Sequence, residues 1–403
     1  MVANVDLSYS AEDEAFRAEI RGWLEQHLTG RWAELRGLGG AGRDHERFED
    51  RLAWNRILAE HGWTCVGWPE AHGGRGLSLW QQVIFHEEYA RADAPARVNH
   101  LGEELLGPTL IAFGTEEQKA RFLPRIAAVE ELWAQGYSEP NAGSDLANVQ
   151  TRARLEGGQW VIDGQKVWTS NAHLSQWVFV VARTEPGSSR HHGLSFLLVP
   201  LEQDGVDIRP IEQLTGGSEF NEVFFTGART DADLVVGEPG QGWAVAMGLL
   251  GFERGVSTLA QTIDYGRELA DLVAVAQRNG AIDDPLVRDR LARLQVELEV
   301  IRAQAMRGLS AVGLGDDSAA GGGAGSIFKL VWANWHQQLG EVAMDVAGPA
   351  GLLARPGGTP YDLDEWQRLF LFSRSDTIYG GSDEVQKNIL AERVLGLPRE
   401  ARG

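Results

Sequence analysis

Two stretches of this 403-residue chain carry residue types suited to holding a heteroaromatic, phosphate-bearing ligand. The first is Gln135 to Thr151, QGYSEPNAGSDLANVQT. Pro140, Asn141, Gly143, Ser144 and Asp145 cannot sustain a helix, and the loop they form offers backbone N–H groups and short hydroxyls to a phosphate or a ring edge. The second is Gly164 to Asn171, GQKVWTSN. It brings Lys166, Trp168, Thr169 and Ser170 through what reads as a strand end, so an indole face and two hydroxyls can meet the same ligand. A third feature is Glu253 in LLGFERG, a carboxylate amid Met247, Leu249, Leu250 and Phe252. Burial there raises a carboxyl pKa toward usefulness as a base, while adjacent Arg254 pulls the other way. Gly248, Gly251 and Gly255 share this helical stretch at offsets of three and four, a choice that costs ~1 kcal/mol each relative to Ala. They imply either close packing of a neighbouring helix or an open cavity beside Glu253.

Composition narrows the class. A chain of this length predicts two or three structural units. The formal net charge of −20 argues against nucleic acid or an anionic membrane as a general partner. Cys65 is the only cysteine, so no intrachain disulfide forms and a reducing compartment fits. The first ten residues lack a basic, then apolar, leader, and no stretch approaches the ~20 apolar residues of a spanning helix. A soluble, cytoplasmic protein is expected. Hydrolase and metal chemistry find little support, since there is no G-x-S-x-G elbow, no H-E-x-x-H and no Cys/His ligand spacing.

Along the chain, Ser10 reads as an N-cap with Asp13 at the capping-box position, and Phe16, Ile20, Leu24 and Leu28 follow at helical spacing. GLGGAG, at Gly37 to Gly42, formally matches a dinucleotide fingerprint, but no apolar strand precedes it. Further helices are expected around Phe48 to Leu58, at Val83 to the HEEYAR stretch, from Leu105 to Phe113, and after a capping box at Thr115 and Gln118. The pattern changes at Trp133. Thr151, Ala153 and Leu155 alternate, Gly157-Gly158 turns, and WVFVVA, LSFLLVPL, VDIRPI and EVFF follow as short runs between turn residues. These predict an antiparallel barrel or sandwich of about a hundred residues. Helical spacing resumes at Gly242, predicting a long helix from about Trp243 to Asn279, a second begun by Asp284-Pro285, and two more beyond the low-complexity loop Gly313 to Ser326. The expected fold is therefore α+β and multidomain: an N-terminal α-helical domain over residues 1–130, a middle antiparallel β-barrel over 131–240, and a C-terminal four-helix bundle over 241–403.

The two loop segments and this three-part order together resemble the acyl-CoA dehydrogenase family over essentially the whole chain. The resemblance implies FAD as cofactor, an acyl-CoA thioester as substrate, and removal of an α-proton while a β-hydride leaves for the flavin. It carries over Gln135, Tyr137, Ser138, Gly143 and Ser144 as flavin-loop residues, Trp168, Thr169 and Ser170 as ring contacts, and Ser382 and Glu384 as C-terminal cofactor contacts. Ser144, Phe252, Arg254, Tyr379, Gly380 and Gly381 would line the substrate. No metal is implied.

Three departures from the family pattern matter. Tyr379-Gly380-Gly381-Ser382 stands where the common Tyr-Glu-Gly-Thr motif places the catalytic base, and Gly380 has no carboxylate. Some branches take the base from the helix that opens the C-terminal domain, and Glu253 is at the matching position. With the other base missing, that position outweighs the ordinary reading of a Glu-Arg pair as a solvated ion pair. DVAGPAG matches a segment that in many relatives reads Gln-x-x-Gly-Gly-x-Gly and holds a neighbouring subunit's adenosine; Gly348 keeps the pattern, while Asp345 and Pro349 depart from it. Arg278-Asn279-Gly280-Ala281 lacks the aromatic expected three residues after the arginine, with Arg288 as a substitute diphosphate contact. The expected assembly is a homotetramer or a hetero-oligomer with a related chain, and electron-transfer flavoprotein is the expected acceptor. The alternatives are an oxidase or flavin monooxygenase of the same fold, or a non-catalytic partner subunit.

Overall fold

The computed structural model describes residues 9–252, 257–313, 323–353 and 362–399. The N-terminal part is helical, with α1 (Ala11–His27), α2 (Phe48–Glu60), α3 (Leu79–Arg91), α4 (Gly107–Phe113) and α5 (Glu116–Ala127). Ser10 and Asp13 form the expected capping box, as do Thr115 and Gln118 on α5. The helix expected from Leu105 begins earlier, because Leu101–Leu106 forms a π-helix that runs into α4. The GLGGAG stretch is loop, without the strand a dinucleotide site requires.

Eight strands follow: β1 (Trp133–Gly136), β2 (Arg152–Glu156), β3 (Gln159–Ser170), β4 (Trp177–Arg183), β5 (Leu194–Pro200), β6 (Val206–Ile211), β7 (Phe220–Asp231) and β8 (Val235–Val236). They form one sheet in the order β6-β7-β3-β2-β4-β5-β8, with β1 on β4. This corrects the expected barrel, since β6 and β8 end the sheet rather than pairing to close it. It also corrects the expected purely antiparallel pairing, since β1 runs parallel to β4. Strand β4 alternates between two cores. Phe179 and Val181 join Leu105, Leu110 and the helix that follows the sheet, whereas Val178, Val180 and Ala182 pack with Trp160, Ile162, Leu197 and Phe225 on the other face.

The C-terminal part contains α6 (Gly242–Phe252), α7 (Ser257–Asn279), α8 (Pro285–Gly313), α9 (Ala324–Ala347), α10 (Glu365–Phe372) and α11 (Asp383–Ile389). The apolar faces of α7, α8 and α9 meet in one core around Leu269, Leu272, Leu294, Leu298, Trp335 and Leu339, with Trp366 of α10 at its margin. Three long helices and a last position filled by the short α10 and α11 thus make up the bundle. Most of the Gly313 to Ser326 connector lies outside the described residues.

Helix α6 is the link between the parts. Val245, Ala246 and Leu249 are buried in the core shared with β4, β5, α4 and the π-helical segment. A Cβ on Gly248 would lie 2.7 Å from the Phe113 ring of α4. Close packing therefore explains Gly248, whereas nothing lies within 4 Å of a Cβ on Gly251. Gly255 lies outside the described residues.

Candidate active site

Sequence separates the two loop segments, and the fold puts them in contact. The first ends at Thr151 and the second begins at Gly164, where a Cβ would lie 2.5 Å from the Thr151 hydroxyl and 2.7 Å from its Cα. Only a residue without a side chain permits that approach. Further along, the Val167 N–H donates to the Ser138 carbonyl at 2.9 Å.

The residue that fastens them is one the sequence reading passed over as a site. Lys166 is fully buried, and its ammonium donates to the carbonyls of Tyr137 (3.0 Å) and Val181 (2.8 Å) and to Glu139 Oε1 (2.8 Å). Glu139 in turn accepts from the backbone N–H groups of Gln150 (2.6 Å) and Thr151 (2.9 Å). Burial pushes the Lys166 ammonium down to about 8, with Glu139 opposing the shift. Burial alone would raise the Glu139 carboxyl, but Lys166 and the donors around it hold it below the usual carboxylate range. This buried ion pair thus ties the start and the end of the 135–151 loop to β3. The sequence signal was slight: one of only four lysines, inside a strand.

Two residues past Lys166 the strand bulges. Pairing of β3 with β7 shifts between Lys166 and Thr169, and Trp168 adopts φ 60°. A bulky aromatic in the left-handed region is strained, and such strain collects at functional sites. The consequence is an indole 57% exposed, touching the Phe220 ring edge-on at 6.2 Å. Thr169 is buried, its hydroxyl without a hydrogen-bond partner, while Ser170 keeps partial exposure. On the facing loop Gln135 and Ser138 are half-buried, Gly143 and Ser144 exposed, and the Tyr137 hydroxyl donates to the Ala246 carbonyl of α6 at 3.5 Å. An exposed indole beside a buried hydroxyl without a partner is the kind of surface on which a heteroaromatic ring system can stack.

A second set lies on the bundle. Tyr379, Gly380 and Gly381 form a turn before α11, with φ of 62° and 89° at the glycines. A Cβ on Gly381 would lie 2.4 Å from Gln386 Nε2, whose amide holds both glycine carbonyls. Ser382 caps α11 by accepting from the Val385 N–H at 3.4 Å, and Glu384 is exposed in its first turn. A third set gathers where α7 ends, α8 begins and α9 ends. Arg278 and Asp345 are exposed, Asp345 pairs with Arg290, Gly348 ends α9, and Asn279 donates to the Val346 carbonyl. Arg288 uses one amine to close its own turn on the carbonyls of Ile282 and Asp283. Glu253 and Arg254 lie outside the described residues, as does the side chain of Phe252.

Three consecutive stretches of the chain match families of known domains. Residues 10–130 match the acyl-CoA dehydrogenase N-terminal domain, 134–228 the middle domain and 240–395 the C-terminal domain. The chain belongs to the acyl-CoA dehydrogenases. It is 64% identical over 390 residues to the acyl-CoA dehydrogenase IpdE1 of Mycobacterium tuberculosis, covering 97% of this chain and 99% of that one. It is 61% identical over 402 residues to IpdE1 of Mycolicibacterium smegmatis, covering 97% and 100%. Among solved structures it resembles the Tcur3481-Tcur3483 steroid acyl-CoA dehydrogenase, with TM-score 0.83, 31% identity and coverage of 98% and 100%. It also resembles the ChsE4-ChsE5 complex of Mycobacterium tuberculosis, with TM-score 0.81, 29% identity and coverage of 98% and 100%. The enzyme class is thereby settled: this is an acyl-CoA dehydrogenase, of a family of flavoproteins. Among the described residues of the dehydrogenase, no helix is long and apolar enough to cross a membrane, and no cluster of His, Cys, Asp or Glu could hold a metal ion.

Proposed function

We propose that the protein is an FAD-dependent dehydrogenase of bulky, ring-bearing acyl-CoA thioesters, with Glu253 as the base. The observation that carries the reading is the fastening of the two loop segments side by side next to α6, the helix that Glu253 directly follows in the chain. When bound, FAD supplies a hydride acceptor. The chain's own residues do the rest. Trp168 offers its indole to a ring system, Ser138, Ser144 and Ser170 offer hydrogen bonds, and Glu253 takes the α-proton of the thioester. Open space at Gly251 and the absence of a side chain at Gly380 favour wide acyl groups over straight ones. The similarity to a steroid acyl-CoA dehydrogenase supports the same choice of a polycyclic or steroid-derived acyl group.

Denatured protein is expected to release FAD, and the flavin band of the native enzyme to bleach more readily with an aryl or steroid side-chain CoA thioester than with butanoyl- or octanoyl-CoA. Release of FMN or of no flavin would end the cofactor assignment. Preference for a straight chain over every bulky one would end the substrate assignment.

We propose further that the working assembly is a hetero-oligomer with a related chain. The similarity to two complexes of paired chains supports it, as do the departures from the family pattern at Ala281, Asp345 and Pro349. A protein purified alone is then expected to bind less than one flavin per chain, and co-expression with its partner to yield a larger, fully flavinated complex. A self-tetramer carrying four flavins, measured by mass and absorbance, would rule this out. Electron-transfer flavoprotein is the proposed acceptor, and cytoplasm the proposed compartment.

A further inference from the structure

Helix α9 holds the Tyr379–Ser382 turn from below through a row of polar side chains. Lys329 donates to the Asp376 carbonyl at 2.6 Å, and its ammonium sits 4.3 Å from the centre of the Tyr379 ring. Further along the helix, Asn334 donates to Asp383 at 2.8 Å, and Gln337 donates to the Thr377 hydroxyl at 3.0 Å. Between these lies His336. Its Nδ1 is 2.5 Å from Asp376 Oδ2, and its Nε2 is 3.2 Å from Glu268 of α7. Asp376 is buried, and so is Tyr265, whose ring stands 5.0 Å from the imidazole. The upper side of the turn is open by contrast, with Ile378 and Tyr379 exposed.

We infer that His336, clasped between Asp376 and Glu268, is a positioning residue for the reaction, fixing the Tyr379–Ser382 turn against α7 and α9. The inference rests on the reading that this turn lines the acyl-CoA. Burial opposes a charge on the imidazole, yet Glu268 and Asp376 outweigh it and raise its pKa to about 10. The two carboxylates thus favour the charged form of His336. A neutral side chain there leaves the buried Asp376 carboxylate without its partner, and the carboxylate stands one residue before Thr377 and three before Tyr379. Because α7 follows Glu253 in the chain, the same clasp ties the turn to the helix leading from the base.

Three variants test this: His336→Gln, Asp376→Asn, and the two combined, which replaces the charged pair by two amides. Gly381→Ala serves as the comparison, because a Cβ at φ 89° displaces the turn directly. The expected result is that all four keep FAD. In each, kcat/KM falls on the order of 10- to 100-fold, mainly through kcat, as misplacement of a reacting group predicts. The near-ultraviolet circular dichroism of the protein should change as well, since the rings of Tyr265 and Trp335 lie against His336. If Gly381→Ala lowers kcat while the His336 and Asp376 variants only melt earlier, with kcat and KM intact, the positioning role is overturned and the site reading survives. If Gly381→Ala itself leaves kcat and KM unchanged, the turn does not line the substrate, and that reading falls together with the inference.

Discussion

Replacing Glu253 by Gln should leave a folded, flavin-bearing protein whose turnover is lower by on the order of 10³-fold. The amide keeps the size and most of the hydrogen bonding of the carboxylate, so binding and fold survive. It cannot accept the α-proton, so the chemical step does not. Two observations make Glu253 the carboxylate to change. The turn at Tyr379 offers glycines at 380 and 381, with φ values that a Glu would adopt only under strain. And α6, which leads to Glu253, is embedded on one side in the core shared with the sheet, through Val245, Ala246 and Leu249, while its Tyr137 contact reaches the 135–151 loop. Stopped-flow bleaching of the flavin under excess acyl-CoA measures the step directly. Near-normal bleaching by the Gln variant would sink the assignment. Placing a carboxylate at Gly380 in that variant should return a fraction of the rate, since two remote origins can serve one carbon, although the left-handed backbone limits how much.

The order of parts was legible because each rests on local periodicity. Phe16, Ile20, Leu24 and Leu28 recur at helical spacing and are all buried, and both capping boxes form as their residue types dictate. The sheet was legible strand by strand but not as a whole. The unbroken apolar run WVFVVA reports that both faces of β4 are covered, yet says nothing about whether the outermost strands meet. The parallel pairing of β1 with β4 joins residues more than forty apart, a choice made by packing rather than by either segment. The loop residues of the candidate site could be located from turn chemistry and resemblance. Lys166, Glu139 and His336 could not be assigned their parts, because a lone charged residue in an apolar setting reads the same whether solvated or paired. Only the fold shows the partner.

Lys166→Met is expected to release the flavin and to destabilise the protein by ~3–5 kcal/mol, the usual consequence of removing one partner of a buried ion pair. Methionine fills much of the lysine stem's volume, so the loss is electrostatic rather than steric. Glu139, 7% exposed, is left with a charge and no counter-ion, and the carbonyls of Tyr137 and Val181 lose their donor. The strain held in Trp168 persists only while its surroundings enforce it, and Lys166 is two residues away on the same strand. Relaxation there would withdraw the indole from the ligand, so flavin affinity should fall before global unfolding is reached. The combined Lys166→Met and Glu139→Gln variant separates the two effects. Its neutral amide still accepts from Gln150 and Thr151, so much of the lost stability should return. Flavin binding should recover less, because the Lys166 donation to the Tyr137 carbonyl is still lost. Melting with and without added FAD, alongside flavin titration by fluorescence quenching, reads both quantities. A single variant that melts and binds flavin like the parent would show that hydrogen bonds such as Val167 to Ser138 hold the loop by themselves.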